Sequence, residues 1–139
     1  MALTLIFTLA EEVYGLEIDA IQEIVEAPLL HYVPRAAGVL TGAINFHGQI
    51  LAVIDLPTLL DFPGEARDHR QVVLTPQFKS LVLTVSTVQR IAKLDLSALQ
   101  PPPAGTRSRA IRGVATLDEM MVNLLDTYEV IERLKHQST

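Results

Sequence analysis

The sequence predicts a mainly β protein made of two small pseudo-symmetric barrels in one chain. Three observations carry this. Apolar and polar residues alternate over short runs, glycine-bearing or acidic turns join those runs into hairpins, and the order strand pair, hairpin, capped helix occurs twice. The chain has 139 residues, 49% of them apolar and 19% charged, with no cysteine. One domain is expected, because domains cluster at roughly 100–150 residues and bury about two thirds of their unfolded surface at that size. The missing cysteines remove disulfides, thiolate metal sites and a cysteine nucleophile together.

The elements follow in order. Leu3, Leu5, Phe7 and Leu9 alternate with Thr4, Ile6 and Thr8, the period of a strand. Glu11-Glu12 is a turn, and Tyr14 to Ile18 returns as a second strand. Asp19-Ala20-Ile21 is a short turn before Glu23-Ile24-Val25, and Pro28 and Pro34 forbid a continuous helix beyond it. Gly42 to Phe46 and Gln49 to Leu56 flank His47-Gly48, which reads as a β-hairpin. The second arm of that hairpin is apolar on both faces and should lie deep. Asp55 is placed to cap a short helix, with Pro57 in its first turn. Phe62 to His69 is a polar linker. Strands resume at Gln71–Thr75 and Ser80–Val85, and Pro101-Pro102-Pro103-Ala-Gly105 is a second linker. Gly113–Leu117 and Met120–Leu125 form another hairpin, turning at Asp118-Glu119. Asp126 to Glu129 resembles a capping box before a C-terminal helix with Val130, Ile131 and Leu134 on one face.

The repeat is visible residue by residue. At an offset of 67, Gly15 meets Val82, Ile18 meets Val85, Ile21 meets Val88, Gln22 meets Gln89 and Ile24 meets Ile91. At an offset of 71, Gly42 meets Gly113, Ile54 meets Leu125, Asp55 meets Asp126 and Leu60 meets Ile131. Charge is uneven. Residues 1–66 hold nine acids and one base, Arg35, whereas residues 67–139 hold ten bases and seven acids. If the halves form the two barrels, their opposite poles favour head-to-tail contact with a homologous domain.

Reactive chemistry is sparse. His31, His47, His69 and His136 have no second ligand at a metal-like spacing, and they read as surface residues. No nucleophile elbow, phosphate loop or dinucleotide fingerprint occurs. Asp55 and Asp126 could be paired acids, but duplicated helix caps explain both. Nucleic acid is not an expected partner: the net charge is −5, aromatics make up 5% and there is no Trp, while Arg107, Arg109 and Arg112 form one small basic cluster. The start of the chain lacks a basic signal-peptide region, and its longest clean apolar run is Ile50–Ile54, far short of the ~20 residues that span a bilayer. A cytoplasmic, non-enzymatic binding module without cofactor, metal or membrane insertion is expected. A small metal-dependent hydrolase built on His47, Asp55 and nearby acids is the competing class.

Tyr14-Gly-Leu-Glu-Ile-Asp-Ala-Ile-Gln-Glu-Ile24, Val33-Pro34, Gly42-Ala-Ile-Asn-Phe-His-Gly48 and Gln49-Ile-Leu-Ala-Val-Ile-Asp-Leu56 together resemble the CheW-like domain, the family of chemotaxis coupling proteins. The second half matches more loosely, through Val72-Val-Leu, Leu81 to Ile91, the prolines at 101–103 and Arg112-Gly-Val-Ala. The resemblance implies two five-stranded SH3-like barrels side by side with an apolar groove between them. It implies a single CheW-like domain over residues 1–139, with subdomains at roughly 10–66 and 67–133 and the first strand, 3–9, crossing to the second. It implies a non-enzymatic adaptor that bridges the regulatory domain of a histidine kinase to the cytoplasmic tip of a methyl-accepting chemoreceptor in membrane-associated arrays, joining end to end with the kinase's homologous domain. Ile21 and Glu23 match positions implicated in partner binding, Gly42 matches the hairpin glycine, and His47 stands where the motif usually has Arg. Imidazole has at most two donors and titrates, whereas guanidinium has five and stays charged. Ser86 and Val82 stand where Asp and Gly are frequent. These departures admit a paralogue acting in twitching motility, or an inhibitor or decoy.

Overall fold

Period-2 alternation produces ten strands, and the short capped segments produce two helices, in the computed structural model, which describes residues 1–26, 38–104 and 109–137. The strands are β1 (Ala2–Leu9), β2 (Glu12–Glu17), β3 (Ile21–Glu26), β4 (Leu40–Phe46), β5 (Gln49–Asp55), β6 (Arg70–Leu74), β7 (Val82–Thr84), β8 (Thr87–Leu94), β9 (Ile111–Leu117) and β10 (Met120–Leu125). Helix α1 is Leu56–Leu59 and α2 is Thr127–Lys135. A 3-10 turn over Ile18–Ala20 separates β2 from β3. His31, Pro28, Pro34, Arg35, Gly105 and Arg107 lie outside the described residues.

Two five-stranded sheets form, in the orders β8-β1-β2-β10-β9 and β3-β6-β7-β5-β4. The protein is therefore mainly β, with two sheets and few helices. The division at residues 66 and 67 is corrected. β2 belongs to the first sheet beside β1, while β6 and β7 join β3, β4 and β5 in the second. Each consecutive run of five strands gives two strands to one sheet and three to the other. The physical reason is that the chain changes sheet at the tight turns after β2 and β7, not at the long linker. The charge contrast between halves is correspondingly diluted. The first sheet's strands carry Glu12 and Glu17 against Arg90, Lys93 and Arg112, and the second's carry Glu23, Glu26 and Asp55 against Arg70.

Registers repeat under the two sequence offsets. Ile6 faces Gly15 as Val73 faces Val82, and Leu5 faces Ile91 as Val72 faces Ile24. The parallel pairings repeat too, with Leu124 beside Gly15 and Val53 beside Val82. Even the irregularities are doubled. Gln22 and Gln89 are the extra residues of bulges in β3 and β8, and Thr41 and Arg112 those of bulges in β4 and β9. A bulge inserts one unpaired residue and bends its strand, so the same bends recur in both sheets. β3 and β8 are sheet edges carrying Glu23 and Glu26, or Arg90 and Lys93. Charges and bulges on edge strands discourage unwanted pairing.

The core has three parts. Ile6, Ala92, Leu94, Ala115 and Val122 cluster within the first sheet. Ile44, Leu51, Val53, Val73 and Val82 cluster at the equivalent place in the second. A larger cluster with Leu5, Phe7, Tyr14, Leu56, Leu74 and Val130 is shared between them. β1 is buried on both faces from Thr4 to Leu9 because alternate residues feed the first and the third of these clusters.

The helices are set differently by their equivalent aspartates. Asp126 accepts a hydrogen bond from the Glu129 amide at 3.2 Å, the expected cap of α2. Asp55 makes no such bond; its carboxylate takes Arg67 Nε at 2.6 Å and Nη2 at 2.9 Å, together with the Thr58 hydroxyl. Two turns further on, Asp68 accepts from the Val88 amide at 2.6 Å and from Arg70. Arg70 Nη2 also reaches the Val88 carbonyl at 2.8 Å. Through the adjacent Arg67 and Asp68 the end of the linker is fastened to the last residue of β5 and to β6 and β8, strands of both sheets.

Candidate functional site

The hairpin of β4 and β5 must reverse in two residues. His47 and Gly48 adopt φ of 51° and 87°, the positive values that a two-residue hairpin turn of type I′ needs. The Asn45 side chain braces the turn by accepting from the Gly48 amide at 3.0 Å. This geometry pushes the imidazole outward, against the Phe46 ring with centroids 4.3 Å apart.

β3 supplies the facing group. Its bulge at Gln22 leaves Glu23 exposed, and Glu23 Oε1 lies 3.4 Å from His47 Nε2. Glu23 comes from edge strand β3 and His47 from the turn that follows edge strand β4, so their contact reaches from one edge of the sheet to the hairpin at the other. Ile50 projects beside the turn and is 68% exposed. This departs from the expectation that the second hairpin arm lies deep on both faces. Leu51, Val53 and Ile54 are buried as expected, but Ile50 sits one residue from the strand's start and has no layer above it.

Of the four residues singled out in the sequence, Glu23 and His47 meet at this tip. Ile21 lies two residues away, half-buried against the shared core. Gly42 is buried in β4 next to the Thr41 bulge and exposes no surface at the tip. Among the described residues, no three His, Asp or Glu side chains gather at metal-binding separations. His69 is paired with Asp68 at 3.4 Å instead. No helix among the described residues is long and apolar enough to cross a membrane.

The first sheet carries the same construction with the charges exchanged. Arg90 in β8 is equivalent to Glu23, and Asp118 in the β9–β10 turn is equivalent to His47. Arg90 Nη2 and Asp118 Oδ2 are 2.9 Å apart. Met121, equivalent to Ile50, is 52% exposed. Ile50, Arg90, Asp118 and Met121 were not picked out from the sequence. The repeat offsets carry the signal, since they set opposite charges at matching positions of both repeats.

Two clefts open where the sheets' connections meet. One, of about 500 Å³, is lined by Glu17, Asp19, Phe78, Arg112 and Tyr128 among others. Its walls are tied by an ion pair between Arg112 and Glu17 and by a 2.5 Å hydrogen bond from Gln77 to the Tyr128 hydroxyl. The other, of about 730 Å³, runs along Phe62 to Ala66 under Arg109, whose guanidinium lies 4.5 Å from the Phe62 ring centroid. The Tyr14 hydroxyl beneath donates to the Arg109 carbonyl, and burial pushes its pKa above the usual phenol value. Both clefts mix charged and apolar walls.

The CheW-like domain model matches residues 3–135. The chemotaxis protein CheW of Klebsiella aerogenes is 28% identical over 132 residues, covering 91% of this chain and 80% of that protein. The chemotaxis protein CheW of Treponema pallidum is 25% identical over 133 residues, covering 89% and 78%. Among solved structures, the scaffolding protein TtCheW from Thermoanaerobacter tengcongensis superposes with a TM-score of 0.78 at 27% identity, over 88% of this chain and 87% of that one.

Proposed function

This chain belongs to the CheW-like domain family, and from that premise we propose that it is a non-enzymatic cytoplasmic scaffold coupling a chemoreceptor to a histidine kinase. Its partners are the regulatory domain of the kinase and the cytoplasmic tip of the receptor. The observation that carries this reading is the tip of the second sheet. There Glu23, His47 and exposed Ile50 stand together, beside half-buried Ile21, with no group poised for bond making. An apolar anchor ringed by charges is the composition of a protein-docking surface. Ile21 and Ile50 supply apolar area, and Glu23 and His47 set orientation. Gly42 contributes by letting β4 pass its bulge inside the sheet, not by touching a partner. The charge-exchanged tip of the first sheet suits head-to-tail contact with a homologous domain, since complementary potentials fix register and choice of partner.

The test is co-purification of the tagged chain with the histidine kinase of its own host, repeated with Ile21→Asp. Capture by the native chain, lost on substitution while the circular dichroism spectrum stays native, supports the reading. Failure to capture the kinase at any salt concentration removes it. Head-to-tail contact through the tips is expected to weaken from 50 to 500 mM salt, because exposed charges are screened over about 10 Å at 0.1 M and less above it.

A further inference from the structure

β3 and β8 occupy equivalent edges of the two sheets. β3 carries Glu23 and Glu26 and no base, whereas β8 carries Arg90 and Lys93 and no acid. All four residues are exposed, and in each strand the two charges stand at the same spacing. Among the described residues, no backbone hydrogen bond runs from residues 23–26 or 90–93 to anything but the neighbouring strand, β6 or β1. The outer side of each strand therefore offers the unpaired backbone groups to which another strand adds. We propose that β3 of one copy of this chain pairs with β8 of the next, so that copies join head to tail through their sheet edges.

The charges choose this combination. In an antiparallel pairing, the more stable kind, a single register sets Glu23 opposite Lys93 and Glu26 opposite Arg90. Val25 then lies opposite Ile91, which is 52% exposed in the single chain. Opposite charges across a strand pair stabilise it, and like charges oppose it. The matching two-fold pairings are penalised: β3 against β3 sets Glu23 opposite Glu26, and β8 against β8 sets Arg90 opposite Lys93. Charge of either sign would merely guard an edge. Opposite signs at the same spacing leave one partner open, a second copy presenting its other edge. Glu23 and Arg90 also touch their own hairpin turns, at His47 and Asp118, but exposed pairs of that kind are weak enough to exchange or share partners. A contact between two different surfaces does not end at two subunits; it closes into a ring or grows into a filament. Neither kinase nor receptor is required, so the inference stands apart from the coupling role proposed above.

The test is sedimentation velocity of the full chain in about 50 mM salt, over a concentration series reaching about 1 mM, where weak contacts register. The average mass is expected to rise past that of a dimer, and to fall back in about 500 mM salt, where exposed charges are screened. Glu23→Lys with Glu26→Lys makes both edges basic, and Arg90→Glu with Lys93→Glu makes both acidic. Each double variant alone should associate at least about tenfold more weakly. Mixed in equal amounts they should assemble again, because every basic edge then finds an acidic one; restored assembly also shows that both variants are folded. Hydrogen exchange should slow at the β3 and β8 amides as the native chain is concentrated. A native chain that stays monomeric, or stops at a dimer, overturns the proposal. So does a double variant that associates as the native chain does, a mixture that stays dissociated, or exchange that slows only elsewhere.

Discussion

The two sheets share a backbone plan and differ in what is hung on it. Registers and bulges coincide at offsets of 67 and 71, down to the unpaired residues Gln22 and Gln89, and so do the positive φ values of the His47-Gly48 and Asp118-Glu119 turns. Side chains at the same stations have diverged: Gly15 against Val82, Glu23 against Arg90, His47 against Asp118, Gly48 against Glu119. Interior positions keep their direction, and a change of volume such as Gly15 against Val82 must be met by the neighbours because interiors are closely packed. Exposed positions are free to exchange even the sign of their charge. A duplicated scaffold can therefore offer two dissimilar surfaces without altering its hydrogen-bond ladders.

Four tests sharpen or break that comparison. The largest effect should separate Ile21 from its equivalent. Val88 is 7% exposed and faces the shared core, whereas Ile21 is half-buried. Val88→Asp buries an unpaired charge and should cost more than about 4 kcal/mol, enough to leave the chain unfolded in a thermal melt. Ile21→Asp should cost less than half as much and keep a cooperative transition. Equal losses would mean that the two positions are both simply core.

The next concerns a clamp with no counterpart, since Met1 occupies the equivalent of Asp68. Asp68→Ala strands the Val88 amide and Arg70, and should lower stability by about 2–3 kcal/mol in urea unfolding. Burial alone raises the pKa of that carboxyl, but hydrogen bonds from Arg70 and from the Val88 and Arg70 amides outweigh it and bring the pKa to about 2. This lies below the ordinary value near 3.9 in an unfolded chain. Its contribution is therefore complete above about pH 5 and disappears as pH falls toward 2. The native chain should lose stability across that window, and Asp68→Asn should show a flatter profile.

Gly15 and Val82 come third. A Cβ at Gly15 would meet Thr4 Cγ2 at 2.8 Å and Val122 Cγ1 at 3.1 Å. Gly15→Ala should cost about 1–3 kcal/mol by overpacking, although the equivalent station holds valine. Denaturant midpoints unchanged by Gly15→Ala would show that the first sheet's interior can relax as the second's has. The smallest effect is at the turns. Glu119 has φ of 65° where its equivalent is Gly48 at 87°. Glu119→Gly should stabilise by about 0.5–1 kcal/mol by relieving left-handed strain, net of glycine's entropy, visible as a small rise in melting temperature.

Much of this was legible in the amino-acid order. Alternation located β1, the β4–β5 and β9–β10 hairpins and both turns, because a half-buried strand must present every second residue to a core. The repeat offsets predicted equivalences that the registers reproduce. The partners of each strand were not legible. Alternation says that a strand has an inner face, and nothing about which sheet receives it, so chain order alone does not place β2, β6 and β7 in the sheets they join. Nor does alternation mark β8 as a strand, because the Gln89 bulge breaks its period and Thr87, Arg90 and Lys93 make it polar. At the candidate site, Ile21, Glu23 and His47 were named from their resemblance, but the meeting of Glu23 with His47 spans 24 residues of sequence and depends on the curl of the sheet.

Reciprocal sharing of strands has a consequence during synthesis. β1 lies between β2 and β8, and the latter ends at Leu94, long after Leu9 has left the ribosome. At roughly 5–20 residues per second, the opening hairpin waits on the order of 4–17 s for its second neighbour. During that interval one flank of β1 is an unpaired edge rich in leucine and isoleucine. Newly made chains should be most prone to join one another in that window, and slowing translation between β2 and β8 should raise the insoluble fraction more than slowing it after β8.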